Sequence, residues 1–400
     1  MFFSQDRGLW RRAALALLLL ALALLLDLWQ RPAHPEPAQA RFGAESPPVL
    51  ADLRPQDQGH IPMPSDAAAA HASNLLAMPD GAPVALSAFW FAGDRESAPN
   101  VQIAASQWDR SSGQWLPARY VVNRHVMASQ LGFGVRRLGN PVAWLDGSKR
   151  MHLFVVATGW GGWAAARILH LVQDGPSQQL QDLAFRPERV LPLSWLWNTS
   201  FLVRNAPLAL QDGGMILPAH FELGIKYPVA LRFDKQGNFM GMVRMSRQGH
   251  WLQPTLLAQG TTHWLALLRD TRPQGHIGVL QTQDGGASWL EQDDLALVNP
   301  DAAVAGMALA PQHLLLAHNS SPGSRELLDL SGSQDGLRWQ LVHPMAHGQG
   351  ADEFSYPAMA WADGALWLSY TDHRKSIAWQ RLAAGSLAAP ALPRAKGSLP

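Results

Sequence analysis

The chain has 400 residues, of which 47% are hydrophobic and 16% are charged, and its net charge at pH 7 is +1. So small a charge excludes the basic surface that nucleic-acid binding requires and gives no sign of an acidic partner. The 34 glycines, 29 prolines and 17 tryptophans favour an all-β fold rich in turns. The absence of cysteine excludes disulfide bonds and cysteine catalysis.

A hydrophobic segment near the N-terminus predicts export. Arg11 and Arg12 precede residues 13–26, which are all leucine or alanine. Positive charge before such a run keeps the amino end in the cytoplasm and sends the following chain across the membrane. The run is short for a spanning helix, and a small-x-small cleavage motif follows at 38–40. Residues 1–29 are therefore either a single-pass signal anchor, with the protein facing the periplasm or exterior, or a cleaved signal peptide of a secreted protein.

The sequence after this segment divides into three parts by composition. Residues 30–66 are rich in proline, alanine and glutamine and lack an apolar period, which predicts a linker. Short β-like runs begin near His71, and they define a predicted domain at 67–385. Residues 386–400 are predicted to be a C-terminal tail.

The predicted domain repeats at intervals typical of propeller blades. Each unit opens with a small or polar residue, often before proline, and continues as two strands, a hairpin and a return strand. The spacing of 46 to 66 residues holds about four strands per unit. We therefore expect a six-bladed β-propeller, with runs such as 151–156 and 264–268 as short inner strands. The six openers are Asn74, Asn140, Asn198, Gln253, Asn299 and Tyr356.

Residues 282–289, Thr-Gln-Asp-Gly-Gly-Ala-Ser-Trp, predict a tight turn between two strands. The Thr282 hydroxyl and the Asp284 carboxylate are placed to accept hydrogen bonds from backbone N–H groups of the turn. The two glycines supply the positive φ angles, and Trp289 begins the return strand as an apolar plug. Residues 333–339 carry a version one residue shorter.

The pattern [S/T]-x-D-x-G-x-x-W resembles the Asp-box of the sialidase superfamily. Four further stretches are similar to blades of predicted bacterial neuraminidases with such repeats, and the similarity spans residues 70–382. It implies a sialidase-like propeller preceded here by the N-terminal hydrophobic helix. The stretches are 71–75 with 91–99 in the first blade, 253–255 with 267–269 in the fourth, 299–301 with 317–325 in the fifth, and 353–358 with 370–374 in the sixth.

The resemblance also implies a site at the channel mouth, where each blade can direct one residue at a single ligand. Sialidases clamp a sugar carboxylate with three arginines and use a tyrosine nucleophile, a glutamate that activates it, and an acidic acid/base residue. Carried onto this chain, the pattern predicts Tyr356 as nucleophile and Glu222, on an inner strand of blade three, as its base partner, with Glu353 as the rival. Asp94 or Glu96 is the expected acid/base residue. The predicted substrate-binding residues are His71, Arg95, Arg269, Asn299, Asn319, Arg325, Glu353 and Arg374.

Each of these assignments has a structural alternative. Tyr356 could pack at a strand start with its hydroxyl on backbone, and residues 94–96 could form an exposed, mutually compensated charge cluster. Sialidases also open the first blade with an arginine, where this chain has His71, a weaker and pH-dependent anion ligand. The fifteen histidines show no metal-binding spacing, so neither metal nor cofactor is expected.

The predicted function is an exo-acting glycoside hydrolase of sialidase type. Its expected substrate is a terminal sugar, acidic by the family pattern, on glycans outside the cytoplasm. The departure at His71 leaves a neutral sugar open. The alternative is a non-catalytic envelope propeller that binds glycan or protein, with contact to the membrane only through the N-terminal segment.

Overall fold

The computed structural model describes residues 4–30, 36–42, 48–96, 98–195 and 197–384 of the chain. Helix α1 (Ser4–Gln30) comes first, and its stretch Gly8–Leu26 is long and apolar enough to cross a membrane. Helix α2 (Arg124–Leu131) and two single 3-10 turns, Leu50–Asp52 and Gly162–Ala165, lie in connections. The predicted C-terminal tail lies outside the described residues.

The described chain contains 26 strands, which form six antiparallel sheets. This confirms the all-β, six-bladed propeller. The first strand is β1 (Leu53–His60). Blade 1 contains β2 (Ala69–Ala77), β3 (Val84–Gly93), β4 (Gln102–Asp109), β5 (Gln114–Trp115) and β6 (Arg119–Val122); blade 2 contains β7 (Arg137–Leu145), β8 (Met151–Thr158), β9 (Ala166–Asp174) and β10 (Ala184–Val190); blade 3 contains β11 (Phe201–Val203), β12 (Leu208–Ala209), β13 (Met215–Leu223), β14 (Ile225–Phe233) and β15 (Phe239–Arg244); blade 4 contains β16 (Trp251–Ala258), β17 (Trp264–Asp270), β18 (Gly278–Thr282) and β19 (Leu290–Glu291); blade 5 contains β20 (Ala305–Ala310), β21 (His313–Asn319), β22 (Leu327–Ser333) and β23 (Gln340–His347); blade 6 contains β24 (Phe354–Ala362), β25 (Ala365–Asp372) and β26 (Ser376–Ala384).

The N-terminal strand β1 closes the ring. It pairs antiparallel with β26, from Leu53 opposite Ala384 to His60 opposite Ala378, and is the fourth strand of blade 6. The sequence predicts a linker over 30–66, and the structure corrects this for the part that contains β1. As the outermost strand it buries little, so it is mostly polar and shows no apolar period.

The first strand of each blade is innermost, because these strands are the ones that meet across the channel. The runs 151–156 and 264–268, which the sequence predicts as short inner strands, belong to the second strands β8 and β17, next to the innermost ones. A second strand is covered on both faces by neighbouring blades and is apolar throughout. An innermost strand lines the channel and carries polar residues such as those of β2.

The two faces of the propeller differ in what they carry. We call the face on which innermost strands begin the upper face and the opposite one the lower face. In a four-stranded antiparallel blade, the connection between the second and third strands returns to the upper face. The turn between the third and fourth strands lies on the lower face.

The predicted Asp-box turn is confirmed on the lower face of blade 4. Gly286 N donates to Thr282 Oγ1 at 3.0 Å, and Ser288 N donates to Asp284 Oδ1 at 2.9 Å. Trp289 Nε1 donates to Gly286 O at 3.2 Å, which fixes the indole beneath the turn. The shorter version at 333–339 forms the same kind of turn in blade 5.

Blade 2 contains a buried histidine pair on β8 and β9. His152 Nδ1 lies 2.8 Å from His170 Nε2, and His152 Nε2 lies 3.2 Å from an Asp146 carboxylate oxygen. Burial lowers the pKa of both imidazoles, for His170 to about 3, because it penalises the charged form. Both pKa values are therefore below the ordinary value of about 6.5 that the unfolded chain has.

We expect this pair to make the protein acid-sensitive. The stability that each neutral histidine contributes is fully present above pH 6.5 and is lost as the pH falls toward its folded-state pKa. Between pH 7 and pH 5 the free energy of unfolding should fall by about 2 kcal/mol through His170, and the lowered pKa of His152 acts in the same direction. His170→Gln should remove one such contribution. Urea unfolding at both pH values measures the difference, and an identical pH dependence in wild type and variant would contradict it.

Candidate active site

Backbone strain is concentrated on the upper face. Every blade has a non-glycine residue in the left-handed region at or just before the start of its innermost strand. In blades 1, 2, 4 and 6 this residue lies in a β-bulge, where the pairing register shifts. Such conformations cost free energy and cluster where side chains must be aimed at a ligand. The residues are Ala72, Asn140, Ser200, Gln253, Asp301 and Tyr356, with φ angles of 55°, 41°, 69°, 51°, 50° and 54°.

Tyr356 lies at the centre of this face, and three residues from other blades surround it. Its ring centroid lies 4.3 Å from that of His71 and 5.0 Å from the guanidinium carbon of Arg204. Its hydroxyl lies 3.5 Å from Arg269 Nη1. The described contact of the Tyr356 hydroxyl is therefore with the Arg269 guanidinium. The structure does not show the alternative, a hydroxyl bonded to backbone.

Arg269, at the end of β17, is held in place from two sides. Its Nε donates to Asp301 Oδ1 at 2.7 Å and its Nη1 to Gln253 Oε1 at 3.1 Å. Burial lowers the pKa of the guanidinium, but Tyr356 and Asp301 raise it by more, so the side chain stays charged. Both partners have a left-handed backbone conformation. Gln253 lies in β16 of blade 4 and Asp301 precedes β20 of blade 5, and together they orient the Arg269 side chain.

Arg325 and Arg374, on the upper connections of blades 5 and 6, share one carboxylate. Glu353 accepts from Arg325 Nη1 at 3.1 Å and from Arg374 Nε and Nη2 at 2.8 Å and 3.0 Å. Arg374 also donates to Glu96 through Nη1. Burial raises the pKa of Glu353, but the bonds and charges of both arginines lower it to about 2. A carboxylate that is already fully paired is a poor base, which weakens Glu353 as the rival to Glu222.

Arg204 forms the floor of the site. It follows the three-residue strand β11, is 2% exposed, and donates to Ser73 O at 3.3 Å and Pro357 O at 2.8 Å. The next residue, Asn205, donates to two backbone carbonyls of blade 4. Blade 3 therefore ties blades 1, 4 and 6 together across the channel. Among the described contacts of Arg204 there is no carboxylate, so no ion pair neutralises its charge there.

His71 occupies the first-blade position of the site. It is buried, and among the described residues neither ring nitrogen has a hydrogen-bond partner. Burial and then the positive charge of Arg374 lower its pKa well below the ordinary value. A neutral imidazole offers a ligand one donor and one acceptor, rather than the charge that an arginine would provide.

Glu222 lies on β13, the second strand of blade 3, which is flanked by β11 and β14 and is the inner strand that the sequence predicts. Its Oε2 lies 3.4 Å from Nε2 of the buried His220. Burial raises the pKa of the Glu222 carboxyl, whereas His220 and then the charges of Arg269 and Lys226 lower it by more. The influence of Arg269 on Glu222 links this carboxylate to the arginine that faces the tyrosine hydroxyl.

The other predicted residues lie farther from this convergence or are engaged elsewhere. Asp94 and Arg95 are exposed on the connection between β3 and β4, while Glu96 of the same connection is half-buried against Arg374. The side chain of Asn299 bonds Ala302 and shapes the turn before blade 5, and that of Asn319 donates to three backbone carbonyls.

The sequence did not predict three residues of the site. They are Arg204 and the two partners of Arg269, Asp301 and Gln253. Arg204 directly follows the apolar run Phe-Leu-Val of β11. The same signal, an arginine after an apolar run, points to Arg269. Applied to blade 3, it would also have selected Arg204.

Comparisons with known proteins agree with this architecture. A family model described as a BNR repeat-like domain matches residues 85–368, well over half of the chain. Hadza microbial sialidase Hz136 has a similar structure, with 14% identity, a TM-score of 0.64, and 80% of this chain and 66% of that chain covered. Trypanosoma rangeli sialidase also has 14% identity, with a TM-score of 0.62 and coverage of 83% and 58%.

A protein of unknown function from Dyadobacter fermentans shows the same likeness at 10% identity, with a TM-score of 0.63 and coverage of 84% of this chain and 100% of that one. No curated protein matches the chain in sequence. The chain spans about three fifths to two thirds of the length of the two sialidases, and at such identities the likeness shows the fold alone. The family match and the shared propeller confirm the resemblance seen in the Asp-box and blade motifs: the chain has the propeller fold of the solved sialidases, and it belongs to the BNR repeat-like domain family.

Proposed function

We propose that the protein is an exo-acting glycoside hydrolase of sialidase type that acts on terminal acidic sugars of glycans outside the cytoplasm. The observation that carries the proposal is the position of Tyr356. A tyrosine in a strained backbone conformation meets arginines from two other blades at the channel mouth. A neutral nucleophile suits an anionic sugar, because a carboxylate would repel it.

The proposed reaction proceeds in two displacements. The Tyr356 oxygen forms a bond to the anomeric carbon while its proton passes to Glu222, and the bond to the leaving oxygen breaks. Glu96, in its protonated form, gives that oxygen a proton; it contacts Arg374 of the site, whereas Asp94 is exposed. Water then attacks the anomeric carbon, gives one proton to Glu96 and keeps the other in the new sugar hydroxyl, while the bond to the Tyr356 oxygen breaks. Glu222 returns to that oxygen the proton that it took in the first step.

The charges of three arginines and one similar solved structure support an acidic ligand. Arg204 brings a buried positive charge to the floor of the site, and Arg269 and Arg325 add two more at its walls. Arginine is suited to a planar carboxylate because its donors form a rigid fork. A solved structure of the similar Trypanosoma rangeli sialidase is a complex with sialic acid.

The apolar helix α1 fits export to the compartment where such glycans occur.

One observation favours the second candidate function, a non-catalytic propeller that binds glycan or protein. Glu353 already occupies the donors of Arg325 and Arg374 that a ligand carboxylate would use. With a neutral His71 in the first blade, the clamp has less free charge than three arginines would give. Such a site could hold a ligand without turning it over.

Turnover of aryl sialosides and neutral aryl glycosides by the full chain tests the proposal. We expect release of the aryl group from an acidic glycoside, and Glu222→Gln should lower kcat by about 10²-fold or more because the proton acceptor is lost. Glu326→Gln, which removes a carboxylate on the connection that carries Arg325, is the matched control. Binding on a glycan array without hydrolysis of any glycoside would favour the second function.

A further inference from the structure

Residues 36–42, which we call the strap, are folded onto the lower face of the propeller. Ala38 N donates to Gly285 O at 3.2 Å, and Ala40 N donates to Thr261 O at 2.7 Å. Both acceptors lie in lower connections of blade 4, and Gly285 is part of the Asp-box turn. The strap therefore lies on the face opposite Tyr356.

The fit of the strap is close. Ala38 and Ala40 are 2% and 0% exposed and pack with Leu210 and Trp264 of blades 3 and 4. A side chain at Gly285 would collide with the backbone of Ala38, so the glycine is what permits the approach.

Blade 3 holds the other edge of the strap through the backbone. Gln211 N donates to Gln39 O at 2.9 Å, and Arg41 N donates to Ala209 O at 2.8 Å. The strap is thus bonded on both sides, as an added strand segment would be.

The same residues form the small-x-small motif at 38–40. Cleavage after Ala40 would remove both buried alanines from the mature protein. It would leave an apolar groove open on blades 3 and 4 and take away the donors to Gly285 O and Thr261 O. The contacts of these residues therefore argue against cleavage at this motif, the cut that would release α1.

The distance between the strap and α1 fixes which face meets the membrane. Six residue steps separate Gln30, the last residue of α1, from Glu36, whose carbonyl accepts from Arg232 Nη1 at 3.3 Å. At most about 3.6 Å per step, they span roughly 22 Å. The nine-residue strand β24 shows that the two faces lie roughly 26 Å apart, because its eight residue steps rise about 3.3 Å each. An embedded α1 can reach the lower face but cannot bring the upper face to the same membrane.

We propose that the strap is retained and holds the lower face of blades 3 to 5 against the lipid bilayer that contains α1, with the candidate active site directed away from it. Leu290 and Leu337, which are 62% and 59% exposed on this face, fit contact with a bilayer surface. The substrate then lies in solution or on an opposing surface, and lipid headgroups of the anchoring leaflet are out of reach. This inference does not depend on catalysis.

Fluorescence energy transfer from a donor dye on a single introduced cysteine to acceptor-labelled lipid tests the orientation. The chain has no cysteine of its own, so the dye reacts only at the introduced position. Leu337→Cys places a donor on the lower face of blade 5. Gly323→Cys places one on its upper face, in open space. In vesicles of phosphatidylcholine and phosphatidylglycerol that contain the full chain, we expect clearly greater transfer from the lower position. Equal transfer, or greater transfer from the upper position, would overturn the proposal.

A strap variant separates docking from anchoring. Ala40→Glu puts a charge into the buried groove and should release the strap, so the difference in transfer between the two faces should shrink while the protein stays in the vesicles. Gln39→Glu adds the same charge at an exposed neighbour and should leave the difference unchanged. An unchanged difference in Ala40→Glu would contradict the role of the strap.

Intact mass of the protein isolated from an exporting host tests retention. We expect the membrane fraction to contain the chain with α1 attached. Recovery of the protein mainly as a soluble form that begins at Arg41 would overturn the proposal, whatever the activity of either form.

Discussion

Tyr356→Phe is expected to lower kcat for an acidic glycoside by about three orders of magnitude or more, because the atom that would bond the anomeric carbon is removed. The phenylalanine ring keeps the packing against His71 and Arg204. Stability and ligand affinity should therefore stay close to wild type. Steady-state kinetics with an aryl sialoside, together with calorimetry of ligand binding, measure the two effects separately.

Tyr370→Phe is the matched control for this change. It removes a tyrosine hydroxyl from the neighbouring strand of the same blade, where the ring packs against Phe354. We expect its kcat to stay within a few-fold of wild type. If both variants lose activity equally, the loss reflects damage to blade 6 and the nucleophile assignment fails. If Tyr356→Phe remains fully active, the proposed reaction is wrong.

The architecture could be predicted because it depends on local signals that repeat. The Asp-box at 282–289 closes with its own side chains, so its hydrogen bonds follow from residues within eight positions of one another. The openers recur because each blade has a left-handed residue near the start of its innermost strand, and every opener lies within two positions of that residue. The strand β1 was missed for the opposite reason. It has no local apolar pattern, and only its partner β26, more than 300 residues away, makes it a strand.

The site was predictable only in part, and the reason lies in how its residues are brought together. Tyr356, Arg269 and Arg325 sit in motifs that mark strand starts and ends, so their place on the upper face follows from the blade pattern. Their partners do not: Glu353 neutralises two arginines and Asp301 aims a third through contacts between blades. No sequence period encodes which of two nearby carboxylates an arginine takes. The sequence therefore predicts Glu353 as a substrate-binding residue, and only the structure adds its two ion pairs with Arg325 and Arg374.

Arg204 is the residue for which function and stability should separate most clearly. Burial lowers the pKa of its guanidinium to about 10. Because this folded-state pKa is below the unfolded value, the charged form at neutral pH destabilises the folded protein, by about 3 kcal/mol for this shift. The two carbonyl bonds that it makes, to Ser73 and Pro357, offset about 1–3 kcal/mol of that cost. A protein gains nothing in stability from a charge held in this way, which is consistent with a role toward an anionic ligand.

Arg204→Met is therefore expected to leave the free energy of unfolding within about 1 kcal/mol of wild type or to raise it, while affinity for sialic acid falls about tenfold or more. Affinity for a neutral sugar should change little, because only the charge is removed. Arg204→Lys keeps the charge and should retain most of the affinity. Urea unfolding and calorimetry with both sugars check these outcomes. A large loss of stability with unchanged affinity would make Arg204 a purely structural tie between blades, and the acidic substrate would lose its strongest support.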